Sequence, residues 1–504
     1  MAFLSKHKLM FIIGVAIVFL FFATRFYNIT NLPIFTDEAI YLRWAQIAKN
    51  DANWRFISLT DGKQPLFIWL IMIVMRFVHD PLLAGRFVSV VAGFCTMIGL
   101  FFLGREIFKS NRIGILSSVL YLLFPMALVY DRMALYDSLV GTFAVWSLYL
   151  TVLLARRVRL DIALILGMIM GGGVLTKTSG FFNMYLLPLS LLLFDFSGKT
   201  KYKRLVKWVE LALVACVLLY LFYSILRLSP FFNIIDEKNA LFVYPLREWF
   251  MHPLQFLVGN LLGQGNWLYI YMTMPLLLLV PLAFVINKEF LKEKIFLILW
   301  FFLPFFALAL FAKTLFPRFI FFMTLPLLLV ISFSFYHLGK RIKKITVLIL
   351  FSVTLVFLAL YADYGILTDF SHATIPCADK DQYSNNWPSG GGVKESVAFF
   401  KEQAERGKIY IGTQGTFGLL PYGLELYLVD NPSIVLKGFW PTDDVPPKEI
   451  IDASKKMPTY VIFYQPCNLC RSAGVAPNSW KVELVSSYAK PNGKSSYSIY
   501  RLRP

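Results

Sequence analysis

Asp37 and Glu38 stand side by side in the string FTDEAIYLRWAQ, shortly after a first apolar run at 9–26. A further acid, Asp137, ends the string DRMALYD, which also carries Arg132. Cations stand in further short strings along the chain: Lys63 in GKQP, Lys177 in LTKTSG and Arg318 in LFPRF. This is the inventory for moving a sugar from a lipid phosphate onto a hydroxyl, because a carboxylate can take the acceptor proton while cations hold the departing phosphate. Phosphate leaves readily as an anion, so a single displacement needs a base and an electrostatic clamp but no strong acid. Each residue also has a bland reading. Carboxylates at a helix start are favoured by the dipole alone, Asp137 can be an N-cap, and Lys177 and Arg318 can be snorkelling cations. Chemistry is therefore read from the ensemble and not from any one residue.

The elements that must position these residues lie in a membrane. Of 504 residues, 58% are hydrophobic and only 16% charged, which excludes an ordinary soluble protein. Apolar runs near 9–26, 82–103, 115–131, 138–155, 160–176, 179–196, 208–227, 270–286, 295–311, 319–337 and 345–362 predict about eleven transmembrane helices. Lys6 and Lys8 precede the first run, and no small-residue cleavage site follows it, so it reads as a retained anchor. A net charge of +19 would suggest nucleic acid in a soluble protein, but here the basic residues fall on alternating loops. That is the positive-inside pattern, and no nucleic-acid partner is expected. It makes the chain a multi-pass plasma-membrane protein with Asp37, Asp137, Lys177, the loop 228–269 and everything beyond 363 outside the cytoplasm. The apolar stretch Pro65 to Val78 is too short to span comfortably and is expected to be interfacial or re-entrant within a first outer loop, 27–81. Glu210, Arg227, Arg86 and Asp195 fall near span ends, and no ionisable residue is placed near a midplane. A coupled transporter would need midplane carboxylates or broken helices, and a lipid or polysaccharide exporter or flippase, the alternative reading, would show repeats and a polar path.

The composition changes near 363, dividing the chain into a transmembrane domain, 1–362, and a small extracytoplasmic α/β domain, 363–504. SNNWPSGGG at 384–392 reads as a linker, VKESVAFFKEQAERG as an amphipathic helix and KIYIGT as a strand. IIDASKKM, TYVIFYQ, KVELVSSY and SYSIYRL add helix and strand signals, the last two split by the turn PNGK. Cys95 and Cys216 lie in spans and read as packing residues; Cys377, Cys467 and Cys470 are disulfide candidates in an oxidising compartment, with the pairing open. A zinc site of these thiols with His372, or redox chemistry at Cys467 and Cys470, are the lesser readings.

TDEAIY after the first span, KQPL in the first outer loop, R-x-A-L-x-D-S after the third, a Lys-bearing turn after the fifth and an Arg before a proline-containing late span occur here in that order. In this the chain resembles the polytopic GT-C glycosyltransferases, specifically the protein O-mannosyltransferase and lipid A aminoarabinose transferase group, over about residues 10 to 340. The resemblance implies a GT-C-like fold and an inverting enzyme that moves a monosaccharide from a polyprenyl-phosphate donor to an extracytoplasmic hydroxyl on a protein, glycolipid or wall polymer. It makes Asp37 the catalytic base with Glu38 its partner, Asp137 the second acid, and Lys63, Arg132, Lys177 and Arg318 the cations around the donor phosphate. Gln64 stands where the group has the first of two prolines, and Asp131 where it more often has Ser. Asp37 and Asp137 can share a divalent metal through oxygen ligands, or Lys63 and Arg318 can supply the positive charge without one. Aromatic residues of the loop 228–269, namely Tyr244, Trp249, Trp267 and Tyr269, are expected to cover the sugar or to belt the interface.

Overall fold

Apolar segments in lipid must satisfy their backbone amides internally, and this chain does so with helices. The computed structural model describes residues 2–464, 479–493 and 495–503. Its longer helices are α1 (Ala2–Phe26), α2 (Thr36–Asn50), α3 (Leu66–Val74), α4 (Pro81–Phe108), α5 (Asn111–Leu122), α6 (Pro125–Asp131), α7 (Tyr136–Arg157), α8 (Leu160–Thr176), α9 (Lys201–Ser224), α10 (Ile234–Phe242), α11 (Leu257–Met272), α12 (Met274–Ile286), α13 (Leu291–Phe311), α14 (Phe321–Arg341) and α15 (Ile345–Thr368). Among the described residues, six helices are long and apolar enough to cross a membrane, and up to eight if each of two bent pairs is one span. Shorter apolar helices at Phe11–Phe26, Leu160–Thr176 and Thr178–Leu193 fall on further predicted spans. This is a multi-pass membrane protein. The stretch read as interfacial forms α3, nine residues long and too short to span.

Two of the predicted spans are bent. At 115–131 the chain breaks into α5 and α6, 64° apart, with Pro125 opening the second helix. A helix end inside a membrane leaves carbonyls without partners. Arg25 fills that need from α1, donating to Leu122 O (2.8 Å) and Tyr121 O (3.4 Å) while pairing with Asp131 (3.4 Å). The second break corrects the sequence reading: the span expected over 270–286 starts at Met274, because Thr273 takes φ +62° and turns the chain by 100° from α11 into α12. Residues 257–269, expected in a loop, are helical.

The loops that carry the basic clusters meet at one end of the bundle. Glu106 is bridged by Lys109 (2.6 Å), Arg156 (3.0 Å) and Arg157 (3.5 Å), and Arg156 also reaches Glu293 (3.0 Å). Asp37, Lys63, Asp137, Lys177 and Arg318 gather at a common cavity instead.

Beyond α15 the chain forms a five-stranded sheet of β1 (Ile409–Gln414), β2 (Ile434–Phe439), β3 (Thr459–Tyr464), β4 (Val482–Ala489) and β5 (Ser496–Leu502), in the order β2-β1-β3-β5-β4. β1 pairs in parallel with β2 and β3, and β5 is antiparallel to β3 and β4. The central strands β1 and β3 are buried almost throughout, whereas edge strand β4 is largely exposed and carries a bulge between Leu484 and Ser486. Helices α16 (Val393–Glu405), α17 (Leu419–Leu428) and α18 (Lys448–Ser454) accompany it. β2 and α17 went unread in the sequence. Cys377 is exposed, and Cys467 and Cys470 lie outside the described residues.

The stretch 384–392 is not a free linker. Thr36 N and Oγ1 both donate to Pro388 O (2.9 Å each), Gly390 N donates to Ile34 O (2.7 Å), and Phe35 bridges Ser389. A Cβ at Gly390 would fall 2.5 Å from Ile34 O, so only glycine permits this approach. From the other side the buried Lys490 ammonium donates to Ser389 O and to Gly391 O (3.0 Å). The strap thus joins the sheet to the first turn of α2.

Candidate active site

α2 carries Asp37 in its first turn. The N-terminus of α2 is held by Glu38, whose Oε2 accepts from Phe35 N (2.9 Å). Glu38 is fully buried and turned away from the cavity: Arg86 grips it with Nε and Nη2 (2.8 Å each), and Ala134 N donates to it (2.7 Å). Its acceptor positions are thus filled by groups that tie α2 to α4 and to the loop before α7. Arg132 also points elsewhere, donating to Thr24 O (3.1 Å) and Tyr27 O (2.8 Å) at the end of α1. Of the seven catalytic and phosphate-binding residues predicted, the other five line one cavity of about 800 Å³.

In that cavity Asp37 stands between two cations. Arg318 Nη2 lies 2.9 Å from Oδ2 and Lys63 Nζ 3.4 Å from Oδ1. Burial raises the Asp37 carboxyl, but Lys63 and Arg318 outweigh it and hold its pKa at about 2. Asp137, in the first turn of α7, accepts from Lys177 Nζ at 2.9 Å. Burial lowers the Lys177 ammonium, and Asp137 opposes that shift. Lys177 is aimed by a turn that folds back onto α8: Lys177 N donates to Gly173 O (3.0 Å) and Gly180 N to Lys177 O (2.8 Å). A Cβ at Gly180 would come within 2.3 Å of the Gly173 backbone, so this reversal requires glycine.

Several site residues escaped the sequence reading. Asp61 bridges Lys63 (3.4 Å) and Lys238 (2.6 Å), bringing α10 to the cavity. Tyr41 lies one turn past Asp37 and faces Lys63 across 4.8 Å; that spacing was the available signal. Asp61 and Lys238 had none, because 177 positions separate them in the chain and only the packing of α10 brings them together. The aromatics expected to cover a sugar do not line the cavity. Tyr244 stacks on Phe256 and Trp249 donates to Leu310 O, while Lys238, Asn239, Phe242 and Val243 supply the wall from that loop. Gln382, Trp387 and Pro388 of the C-terminal segment supply another part.

Beneath the site, Asp379 accepts from Tyr130 (2.6 Å) on α6 and from Tyr271 on α11. Burial raises this carboxyl to about 6 against those two hydrogen bonds. One carboxylate thus joins the C-terminal segment to both bent helix pairs. Arg25, Asp131 and Asp363 are likewise buried charges that the sequence reading did not assign.

Among the described residues no group of three or more His, Cys, Asp or Glu stands together as metal ligands. Asp37 and Asp137 each face a cation of the chain itself, so this donor set suits a charge-neutralised pair better than a shared divalent ion.

Residues 62–224 match the family model described as dolichyl-phosphate-mannose-protein mannosyltransferase. A comparison with curated proteins gives no match. Among solved structures, ArnT from Cupriavidus metallidurans in the apo state aligns with a TM-score of 0.58 at 13% identity, covering 99% of this chain and 98% of that one. The same protein bound to undecaprenyl phosphate gives 0.58 at 13%, covering 98% of each. The archaeal oligosaccharyltransferase AglB from Archaeoglobus fulgidus, in complex with an inhibitory peptide and a dolichol-phosphate, gives 0.51 at 13%, covering 98% of this chain and 74% of that one. The fold is therefore the GT-C architecture that the sequence resemblance implies.

Proposed function

From this GT-C fold and its cavity, we propose that the protein is an inverting glycosyltransferase that moves a monosaccharide from a polyprenyl-phosphate donor to a hydroxyl outside the cytoplasm. The observation that carries the reading is Asp37 set between Lys63 and Arg318 in an 800 Å³ cavity. The matched family and ArnT support the donor class, since the first is described by dolichyl-phosphate-mannose and the second binds undecaprenyl phosphate.

In the reaction, Asp37 takes the acceptor hydroxyl proton as the oxygen attacks the anomeric carbon. The carbon–oxygen bond to phosphate breaks, and its electron pair leaves with polyprenyl phosphate. Lys63 and Arg318 stabilise that anion, and Lys177 is held beside them by Asp137. The phosphate draws the cations away from Asp37, whose carboxyl then rises toward an ordinary value and becomes a stronger base. Donor binding thus switches on the base.

The bent helix pairs are what an exporter would share. Here Arg25 donates to the carbonyl of Leu122 at one break, and Asp379 ties both bent pairs to the C-terminal segment. The enzyme reading is tested by donor affinity. A charge-assisted hydrogen bond contributes roughly 1.5 to 3 kcal/mol, so Lys63→Ala and Arg318→Ala should each weaken donor binding by about one to two decades. Unchanged donor affinity in both variants would remove the phosphate clamp.

A further inference from the structure

The cavity wall divides by chemistry. Lys63, Lys177, Lys238 and Arg318 carry its positive charge, whereas the part supplied by the C-terminal segment is Gln382, Trp387 and Pro388. Trp387 is 56% exposed although its two successors are tied down, so the ring is presented by a fixed backbone and not by a loose tail. The contact nearest to it in the chain also fixes its position relative to the base. Pro388 O accepts from both Thr36 N and Thr36 Oγ1, and Thr36 precedes Asp37. Trp387 and Asp37 are therefore neighbours across one bifurcated carbonyl. Gly390 adds a second bond to the α2 side at Ile34 O, and Lys490 holds the strap from the sheet side.

An acceptor hydroxyl delivered to Asp37 must place the rest of its molecule on the adjoining wall. Among the described residues, the C-terminal segment adds no cation to the cavity lining, and the side chains it offers are an indole, a primary amide and Pro388. An indole face stacks on the C–H face of a pyranose, and an amide both donates to and accepts from neighbouring hydroxyls. Gln382 has no hydrogen-bond partner among the described residues, leaving its amide to such a ligand. We propose that Trp387 and Gln382 form the acceptor subsite and that the acceptor presents an uncharged pyranose there. This rests on the glycosyltransferase reading and deepens it. A peptide hydroxyl acceptor is the competing outcome.

Saturation-transfer NMR on the purified full-length protein tests the inference with methyl pyranosides of mannose, glucose and galactose, and with an acetyl-Ala-Thr-Ala-amide peptide as the alternative probe. At least one pyranoside should receive saturation at its ring protons. An aromatic contact of about 0.5 to 1.5 kcal/mol corresponds to about two- to tenfold weaker binding in Trp387→Ala. Gln382→Ala should act in the same direction, and Lys63→Ala should leave the signal in place. The inference is overturned if no pyranoside responds, if pyranoside binding is as tight in Trp387→Ala as in the unmodified protein, if Lys63→Ala alone removes the signal, or if only the peptide depends on Trp387. Release of polyprenyl phosphate from a polyprenyl-phosphate sugar, followed in the same variants, separates the two readings. Cleavage without Trp387-dependent pyranoside binding defeats this inference alone, while absence of cleavage by the unmodified protein defeats the glycosyltransferase reading.

Discussion

Asp37 and Glu38 are adjacent in the chain and opposite in fate. One turns into the cavity between cations, and the other is buried against Arg86. Asp37→Asn should therefore lower turnover by about 10² to 10⁴ with the fold intact. Glu38→Gln should act on stability instead, because breaking a buried pair and leaving Arg86 uncompensated costs about 3 to 5 kcal/mol. Thermal unfolding and turnover, measured on both variants, should separate cleanly. A well-folded Asp37→Asn protein of near-normal activity would exclude Asp37 as the base. The pH profile gives a second check. With Asp37 held at about 2 in the free protein, it should add no acid limb to kcat/KM for the donor above about pH 3. In the donor complex the phosphate competes for Lys63 and Arg318, so the acid limb of kcat should lie at higher pH. Coincident limbs would mean that the donor leaves the Asp37 environment unchanged. The sequence made the pair visible but could not tell the two acids apart, since which side of α2 faces Arg86 depends on a residue forty-eight positions away.

At the scale of elements, the unexpected part is the strap. A run rich in Ser, Asn and Gly signals a linker by composition, and nothing local reveals that Ile34 and Thr36 will bind it. Gly390 carries the contact: Gly390→Ala places a methyl against Ile34 O and should loosen the strap. Lys490→Met removes the donor to Ser389 and Gly391 from the other side. Hydrogen exchange at 386–391 should rise in both variants, and turnover should fall although neither residue lines the cavity. Unchanged exchange would show that other contacts hold this segment. α7, α8, β1, β3 and β5 were legible because their apolar runs and turn signals are local. The bend at Thr273 was not, because a left-handed φ at a β-branched residue runs against its own preference.

For the whole molecule, the orientation proposed from the charge pattern, with the basic end in the cytoplasm and the cavity outside, is open to a direct test. Cysteines introduced at Ser179 or Asn239, both lining the cavity, should react with an impermeant maleimide from outside in a background without exposed thiols. Cysteines at Ser110 or Lys201 should not, and outside labelling at Ser110 would reverse the orientation. The order of site motifs along the chain was readable because each sits where a helix meets a loop. Their convergence, and the share taken by Asp61, Lys238 and the C-terminal wall, depends on packing across hundreds of residues.

The most direct measurement is the fate of the donor bond. Protein reconstituted into vesicles is supplied with a panel of polyprenyl-phosphate monosaccharides, mannose first, together with pyranoside acceptors, and the lipid products are resolved by mass. Release of free polyprenyl phosphate in step with glycosylated acceptor of inverted anomeric configuration, with both falling together in Asp37→Asn and Lys63→Ala, is the predicted result. Recovery of only intact lipid-linked sugar, moved across the bilayer with its sugar–phosphate bond unbroken, would contradict it.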